Sequence, residues 1–290
     1  LFPGAKGRYK FINRGKHLFP AGFAVALKLA VDQMAQLQLS KEEKTFLQDT
    51  CPYFDPVYLD FLEGYRYNPE EVHIEQQGDQ LSVHVEGLWY RTILWEVPLM
   101  SLICELFYQL QDIKRVSNEE VMAITREKIE KYSDLGVTVA DFGTRRRFSY
   151  QVHRQVLQAL KQYGQGSFIG TSNVHMAMLY QTKPIGTHAH EWFMFHAARY
   201  GFKMANAMSL QHLVEVYRGD LGIALSDTYT TEVFFKQFDK MFSKLFDGVR
   251  HDSGDALHFA DQVIAHYERM GIDPKTKTII FSDSLNYDKV

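Results

Sequence analysis

The chain has 290 residues, 46% of them hydrophobic and 14% aromatic, with 32 Lys and Arg against 35 Asp and Glu for a net charge of −3. At roughly 150 residues per domain this is length for two domains, enough to bury a core without staples, and 16 Tyr with 21 Phe exclude a disordered chain. There is no global basic field for non-specific nucleic-acid binding, and no apolar run approaches the roughly 18 residues of a membrane span. Cys51 and Cys104 make neither a metal-ligand spacing nor a disulfide framework, so the expected compartment is reducing and cytoplasmic. Leu1 to Gly22 carries charges where a signal peptide would be apolar. The chain lacks an initiator Met and stops at Val290 inside what reads as a helix start, so both ends are expected to extend further.

In chain order, Arg8 to Ile12 alternates loosely like a strand, and Phe23 to Leu39 carries Val25, Leu27, Leu29, Ala30, Met34 and Leu37 at helical spacing. Ser40 with Glu43 is a capping box opening a short helix. Glu71 to Gln76 and Leu81 to Val85 flank Gly78-Asp79 and read as a hairpin. Trp95 to Tyr108 reads as an apolar helix with Pro98 in its first turn. Ser117 and Glu120 form a second capping box, before a helix that Gly136 ends.

After Gly136 the rhythm changes. Strand candidates begin near Thr138, Ser167, Pro184, Leu221, Gly248 and Thr278, with helices at Ser149–Tyr163, Ala205–Tyr217 and Ala256–Met270 between them. Strand–helix alternation at about 30 residues predicts parallel βαβ units, which an open sheet or a closed barrel would satisfy equally. In such folds ligands sit at the carboxyl ends of the strands. The six exits read DFGTRRR (Asp141 to Arg147), GTSN (Gly170 to Asn173), GTHAHEW (Gly186 to Trp192), SDTYT (Ser226 to Thr230), RHDSGD (Arg250 to Asp255) and SDSLN (Ser282 to Asn286).

Arg145, Arg146, Arg147 and Arg250 supply planar forks for phosphate or carboxylate. Asp227, Asp252 and Asp283 supply carboxylates for Mg²⁺ or sugar hydroxyls. Gly170-Thr171-Ser172 and Ser253-Gly254 supply backbone N–H groups near helix starts. That mixture suits a phosphorylated sugar with a metal. Each element alone has a plainer reading. The arginine run suits a solvated helix start, Ser226-Asp227 and Ser282-Asp283 suit N-caps, RHDSGD suits a capped turn, and His190-Glu191 suits a surface pair. His188 has no assigned role. Six polar exits in succession outweigh these alternatives.

The same motifs, with FINRGKH (Phe11 to His17), ILWEVPL (Ile93 to Leu99), LGIALSD (Leu221 to Asp227), VRHDSGD (Val249 to Asp255) and FSDSL (Phe281 to Leu285), resemble the nicotinate phosphoribosyltransferase family of type II phosphoribosyltransferases over essentially the whole chain. The resemblance implies an irregular, TIM-like parallel α/β barrel over residues 137–290 beside a smaller α/β sandwich domain over residues 1–136. It implies that nicotinate attacks 5-phosphoribosyl 1-pyrophosphate to give nicotinate mononucleotide and pyrophosphate. The reaction would use Mg²⁺ and be coupled to ATP hydrolysis through a phosphohistidine, in NAD salvage. It implies a homodimer with shared active sites, and no nucleic-acid or membrane partner.

By position, the resemblance makes Phe142 the ring that stacks on the pyridine and Arg145 the fork for the nicotinate carboxylate. Ser172 stands where amide-using relatives carry an aspartate. His190 is the phosphorylated histidine, with Glu191 a candidate to orient it. Asp227 holds ribose hydroxyls or metal, Arg250 and Asp252 clamp ribose and pyrophosphate, and Asp252 shares the metal role. Asp283 lies near the 5-phosphate end, and Arg14 reaches across the dimer. An Asp-x-Tyr-Lys segment and a glycine-rich phosphate loop of the family pattern do not occur in the chain, so its site is expected to be incomplete. The rival readings are a nicotinamide-using enzyme, a quinolinate-type enzyme, a non-catalytic nucleotide-binding regulator and a barrel metallohydrolase.

Overall fold

A computed structural model describes residues 2–218, 220, 222–283 and 285–290. It divides into two compact units, Leu1–Ile185 and Gly186–Val290. Of the residues singled out above, Leu221 and Ser284 lie outside the described residues.

The first unit opens with β1 (Lys6–Lys10), α1 (Phe23–Met34), α2 (Lys41–Thr50) and α3 (Pro56–Gly64). In α1, Phe23, Leu27, Val31 and Met34 form the buried stripe that a period of 3.6 dictates, so of the apolar positions in the sequence pattern Leu27 and Met34 face the core while Val25 and Leu29 face outward. Gly22 offers α1 no capping side chain. Gln76 supplies one from a distant strand, accepting from Ala24 N at 3.0 Å and donating to Pro20 O at 2.9 Å. The Ser40–Glu43 box on α2 is reciprocal as expected.

The hairpin is β2 (Val72–Gln77) and β3 (Gln80–Leu88), and β1 joins it to give an antiparallel sheet of order β1-β3-β2. Next come α4 (Trp89–Thr92), α5 (Glu96–Leu110) and α6 (Asn118–Asp134). Val83, Val85, Trp95, Leu99 and Ile103 meet the α1 stripe in one core. The 22-residue helical stretch Trp89–Leu110 is long and apolar enough to cross a membrane by length and composition, a feature that the count of consecutive apolar residues passed over. Its inner side lies in that core. Its Arg91, Glu96 and Glu105 pair with Glu71, Arg145 and Arg147. Ser117 caps α6 by accepting from Glu120 N, and Gly136 leaves the helix with φ +67°.

The parallel part of this unit is β4 (Val139–Asp141), α7 (Tyr150–Tyr163), β5 (Phe168–Thr171) and α8 (Val174–Tyr180). The strand expected at Pro184 is a single bridge to Thr171, because proline has no N–H to extend a ladder. Gly170, at φ +148°, lets that bridge form, since a Cβ there would sit 2.1 Å from Lys183 O.

The second unit holds α9 (His190–Tyr200), α10 (Ala205–Tyr217), β6 (Ile223–Leu225), α11 (Thr231–Gln237), α12 (Lys240–Leu245), β7 (Gly248–His251), α13 (Ala256–Met270) and β8 (Thr278–Phe281). The strands pair in parallel in the order β6-β7-β8. Their core is aromatic, with Phe193, Phe234, Phe238, Phe246, Phe259 and Tyr267 packed around Val249. Trp192, in α9, donates its indole N–H to Ser209 O of α10 at 3.0 Å. The expected mixed α/β class and parallel strands are present. The expected closed barrel is not seen among the described strand pairings: strands of only three or four residues form small separate ladders of two and three.

Gly248 pairs with Thr278 across β7 and β8, and a Cβ there would lie 1.9 Å from Thr278 O. Gly248→Ala is expected to cost about 3 kcal/mol or more. Gly64→Ala, in α3 with nothing near its added carbon, is expected to be neutral or to gain ~0.5 kcal/mol. Urea unfolding of the two variants against the parent chain checks both.

Candidate active site

In the second unit three strand exits and the start of a helix converge. His190 is the first residue of α9. Its Nε2 lies 3.1 Å from Asp227 Oδ1, after β6, and 3.6 Å from Asp252 Oδ2, after β7. Ser253 donates to the other oxygen of Asp227 at 2.5 Å. Burial pushes the Asp227 carboxyl up, but the His190 and Ser253 hydrogen bonds outweigh it and hold the group below the usual carboxylate range.

Arg250 is spread across the same cluster. Its Nη2 donates to Asp252 Oδ1 at 2.8 Å and its Nε to Ser282 Oγ at 2.8 Å. Its Nη1 reaches Thr187 Oγ1 at 2.8 Å and His188 O at 3.1 Å. Ser282 in turn lies 2.5 Å from Asp252 Oδ1. Asp252 Oδ2 is thus the carboxylate oxygen of this pair left towards His190 alone in the described contacts.

The first unit carries a second cluster. Asp141 ends β4, and its Oδ2 meets His153 Nε2 at 2.8 Å and Thr171 Oγ1 at 2.7 Å, while Gly143 N donates to Oδ1 at 3.0 Å. Burial pushes this carboxyl up as well, and the bonds from His153, Thr171 and Gly143 bring it below its ordinary value. Phe142 follows, 49% exposed. Arg145 is half-exposed, with Nη1 2.8 Å from Glu96 Oε1. Ser101 donates to Thr144 O at 2.8 Å, tying α5 to this loop. Asn173 Nδ2 donates to Thr144 Oγ1 at 3.1 Å, and Ser172 N donates to Asp141 O at 2.8 Å.

Residues 137–290 match the model of the nicotinate phosphoribosyltransferase (NAPRTase) family, and residues 1–104 match the model of its N-terminal domain. The nicotinate phosphoribosyltransferase of Chromohalobacter salexigens is 63% identical over 289 residues, which is all of this chain and 74% of that protein. The chain belongs to the nicotinate phosphoribosyltransferase family. The enzyme of the same name from Methanococcoides burtonii is 42% identical over 99% of the chain and 74% of its own length. The crystal structure of the Porphyromonas gingivalis nicotinate phosphoribosyltransferase superposes with a TM-score of 0.96 at 43% identity, over the whole chain and 74% of that structure. The Vibrio cholerae structure gives 0.93 at 33%, over 99% of the chain and 70% of that structure.

Among the residues singled out from the sequence, His190, Asp227, Arg250 and Asp252 fall together in one cluster of the second unit. Asp283 directly follows Ser282 at the β8 exit. Phe142 follows Asp141 in the chain and Ser172 bonds to the Asp141 carbonyl, while Arg145 lies further along the same loop with its guanidinium on Glu96. Arg14 lies in an exposed turn after β1. Asp227 is no N-cap, since Thr230 caps α11, whereas Asp255 of RHDSGD does cap α13. The structure gives His190 two carboxylate partners, Asp227 at hydrogen-bond distance and Asp252 at 3.6 Å.

Pattern reading missed Ser253, Ser282 and Thr187 as side-chain partners, along with His153, Glu96 and Glu105. The serines stood inside quoted motifs but were read for backbone or capping chemistry, and their hydroxyls have no spacing signature. Glu96 and Glu105 sit on α5 far along the chain from the arginines they hold.

The ligand atoms of His190, Asp227 and Asp252 all lie within 4.8 Å of one another. Oxygen donors from two aspartates fit Mg²⁺, which takes one or two carboxylates and completes its shell with water and substrate phosphates.

Because Asp141 and Asp227 both have depressed values in the fold, they contribute stability above the unfolded carboxylate range that is lost as pH falls through it. Melting temperature is therefore expected to fall steeply below about pH 4. Asp227→Asn should flatten that acid limb in thermal melts taken between mildly and strongly acidic buffers. An unchanged slope would remove Asp227 from the account.

Proposed function

We propose that the chain transfers the phosphoribosyl group of 5-phosphoribosyl 1-pyrophosphate to nicotinate, releasing pyrophosphate, as the names of its relatives indicate. The observation that carries this reading is the convergence of His190, Asp227, Arg250 and Asp252 at neighbouring strand exits. The pyridine nitrogen attacks the anomeric carbon as the bond to pyrophosphate oxygen breaks. Positive charge builds on the ribose ring, and the Asp252 carboxylate is suited to stabilise it. Arg250 is pre-oriented by four bonds and presents fixed positive charge beside the leaving group. Mg²⁺, held by Asp227 and Asp252 together with pyrophosphate, would supply charge neutralisation to that group. No protein base is needed for the nucleophile, since its lone pair is already available.

His190 is our candidate for carrying phosphate from ATP. Its ring stands at the first turn of α9, 40% exposed and backed by Asp227. The carboxylate fixes the ring's orientation, and the helix N-terminus favours an added anion. Phe142 would stack on the pyridine, Arg145 would pair with its carboxylate, and Ser172 would donate to the same anion. Asp283 would serve the 5-phosphate end. Arg14, exposed in the turn after β1, would complete the partner's site in a homodimer. We place the sandwich domain at residues 1–136 and the barrel domain at 137–290, a division supported by the start of the second family model at 137, although the first model ends at 104 and the compact units divide after Ile185. The proposed setting is cytoplasmic NAD salvage, with no nucleic-acid or membrane partner.

Incubation with nicotinate, 5-phosphoribosyl 1-pyrophosphate, Mg²⁺ and ATP, followed by mass analysis, should give nicotinate mononucleotide, pyrophosphate, ADP and the inorganic phosphate released from His190 by water. His190→Ala should abolish ATP hydrolysis while leaving slow transfer at high substrate, and mixing it with Arg14→Ala should restore some activity through hybrid sites. Phosphate found on His188 would overturn the assignment of His190.

The acid is expected to be preferred over the amide. Arg145 offers a charge-assisted fork, and Ser172 stands where a carboxylate would repel nicotinate. A mispaired buried charge costs ~3–5 kcal/mol, so Ser172→Asp should weaken nicotinate use sharply. Equal kcat/KM for nicotinate and nicotinamide in the parent chain would sink this.

A further inference from the structure

Asp141 poses a problem for an anion pocket. It immediately precedes Phe142, and its own carbonyl accepts from Ser172 N at 2.8 Å, so it adjoins both loops assigned to nicotinate. An acidic side chain with free lone pairs there would repel the substrate's carboxylate. The side chain is instead only 9% exposed, and both of its oxygens are occupied. Gly143 N holds Oδ1, and Thr171 Oγ1 and His153 Nε2 both hold Oδ2.

His153 is committed to that task. It reaches out of the first turns of α7 and is 4% exposed. Its Nδ1 is buried and meets no hydrogen-bond partner among the described residues. A carboxylate only accepts, so the ring proton belongs on Nε2, pointing at Asp141. Thr171 is equally committed: its hydroxyl donates to Asp141 and accepts from Asn173 N at 3.1 Å. The amide of Asn173 then reaches Thr144 Oγ1 in the Phe142–Arg145 loop. A single buried knot thus sets the loop after β4 against the loop after β5. Space is tight as well, since a Cβ at Gly143 would lie 2.9 Å from Asp141 Oδ1.

We infer that His153 is a positioning residue that sets the enzyme's specificity for the acid: by holding the Asp141 carboxylate turned inward, it keeps a negative charge off the nicotinate pocket. The inference rests on the reading of Phe142, Arg145 and Ser172 as that pocket. It makes a distinction that a purely structural role does not. Loss of the His153 hydrogen bond frees a carboxylate, and a freed carboxylate penalises an anionic substrate more than a neutral one.

The test compares His153→Phe, which fills the space without a donor, with His153→Gln, which restores an N–H donor. His153→Phe should raise KM for nicotinate about tenfold, the scale of one hydrogen bond to a charged group. KM for 5-phosphoribosyl 1-pyrophosphate and kcat should hold within about twofold, so that nicotinate loses about tenfold in preference over nicotinamide. His153→Gln should recover most of the loss. Thr171→Val, which removes the second donor to the same oxygen, should shift the preference in the same direction and decides the matter if His153→Phe does not fold. An unchanged nicotinate KM in a folded variant, or an equal rise for nicotinate and nicotinamide, overturns the inference. Arg145→Ala separates the two levels. If it leaves nicotinate KM unchanged, the pocket itself is misplaced. If it raises KM where His153→Phe does not, only the role of His153 fails.

Discussion

The guanidinium of Arg250 is the constraint around which the second unit is arranged. The side chain is only 16% exposed, and a buried cation is tolerable only when paired and hydrogen-bonded on every side. The β7 exit therefore has to bring Asp252, the β8 exit Ser282, and the segment before α9 Thr187 and the His188 carbonyl. Those partners fix where each strand ends. Ser226 adds a bond from the β6 exit to the Arg250 carbonyl at 2.8 Å, so all three strands terminate in register. His190 and its two aspartates then fall into place because the exits that carry them are already tied together.

The first unit solves the opposite electrostatic problem. Its arginine run is divided among helix carboxylates, Arg145 with Glu96 and Arg147 with Glu105, while Glu105 also accepts from Tyr150 N at the start of α7. The long apolar stretch from Trp89 to Leu110 thus does two things. One face fills the core under the antiparallel sheet, and acidic residues on it steer the guanidinium groups of the loop after β4. Phe142 remains half-exposed in that loop, an arrangement suited to a flat aromatic ligand with an anionic substituent.

Local signals were the legible part of this fold. Ser40 with Glu43, Ser117, Ser149 and Asp255 announce helix starts through their own neighbours in sequence, and the structure caps helices at each. The strand exits were legible too, because a parallel strand's end is where short polar residues interrupt an apolar run. What stayed hidden was pairing across the chain. Thr171 with Asp141, Ser253 with Asp227 and Gln76 with the start of α1 join residues between 26 and 52 positions apart, and no periodicity encodes them. Pro184 misled for a local reason: Pro184-Ile185 stands before a polar, Gly-containing exit as a strand end would, but proline lacks the donor that a ladder needs. The helix at Pro56–Gly64 carried a readable signal in Asp55-Pro56, an N-cap followed by proline at the first helical position, which apolar spacing alone did not bring out.

Three tryptophans are distributed unequally between the units: Trp89 and Trp95 in the first, Trp192 alone in the second. Trp192 lies two residues from His190 on the same helix, its indole anchored to Ser209 and its ring 4.5 Å from that of His196. The second unit therefore contains a single indole among its tyrosines, built into the helix whose first residue is the candidate phosphate carrier. Its emission, excited at the red edge where tyrosine does not absorb, reports on that helix without any attached dye, and replacing Trp89 and Trp95 with phenylalanine would leave a tryptophan signal belonging to the second unit alone.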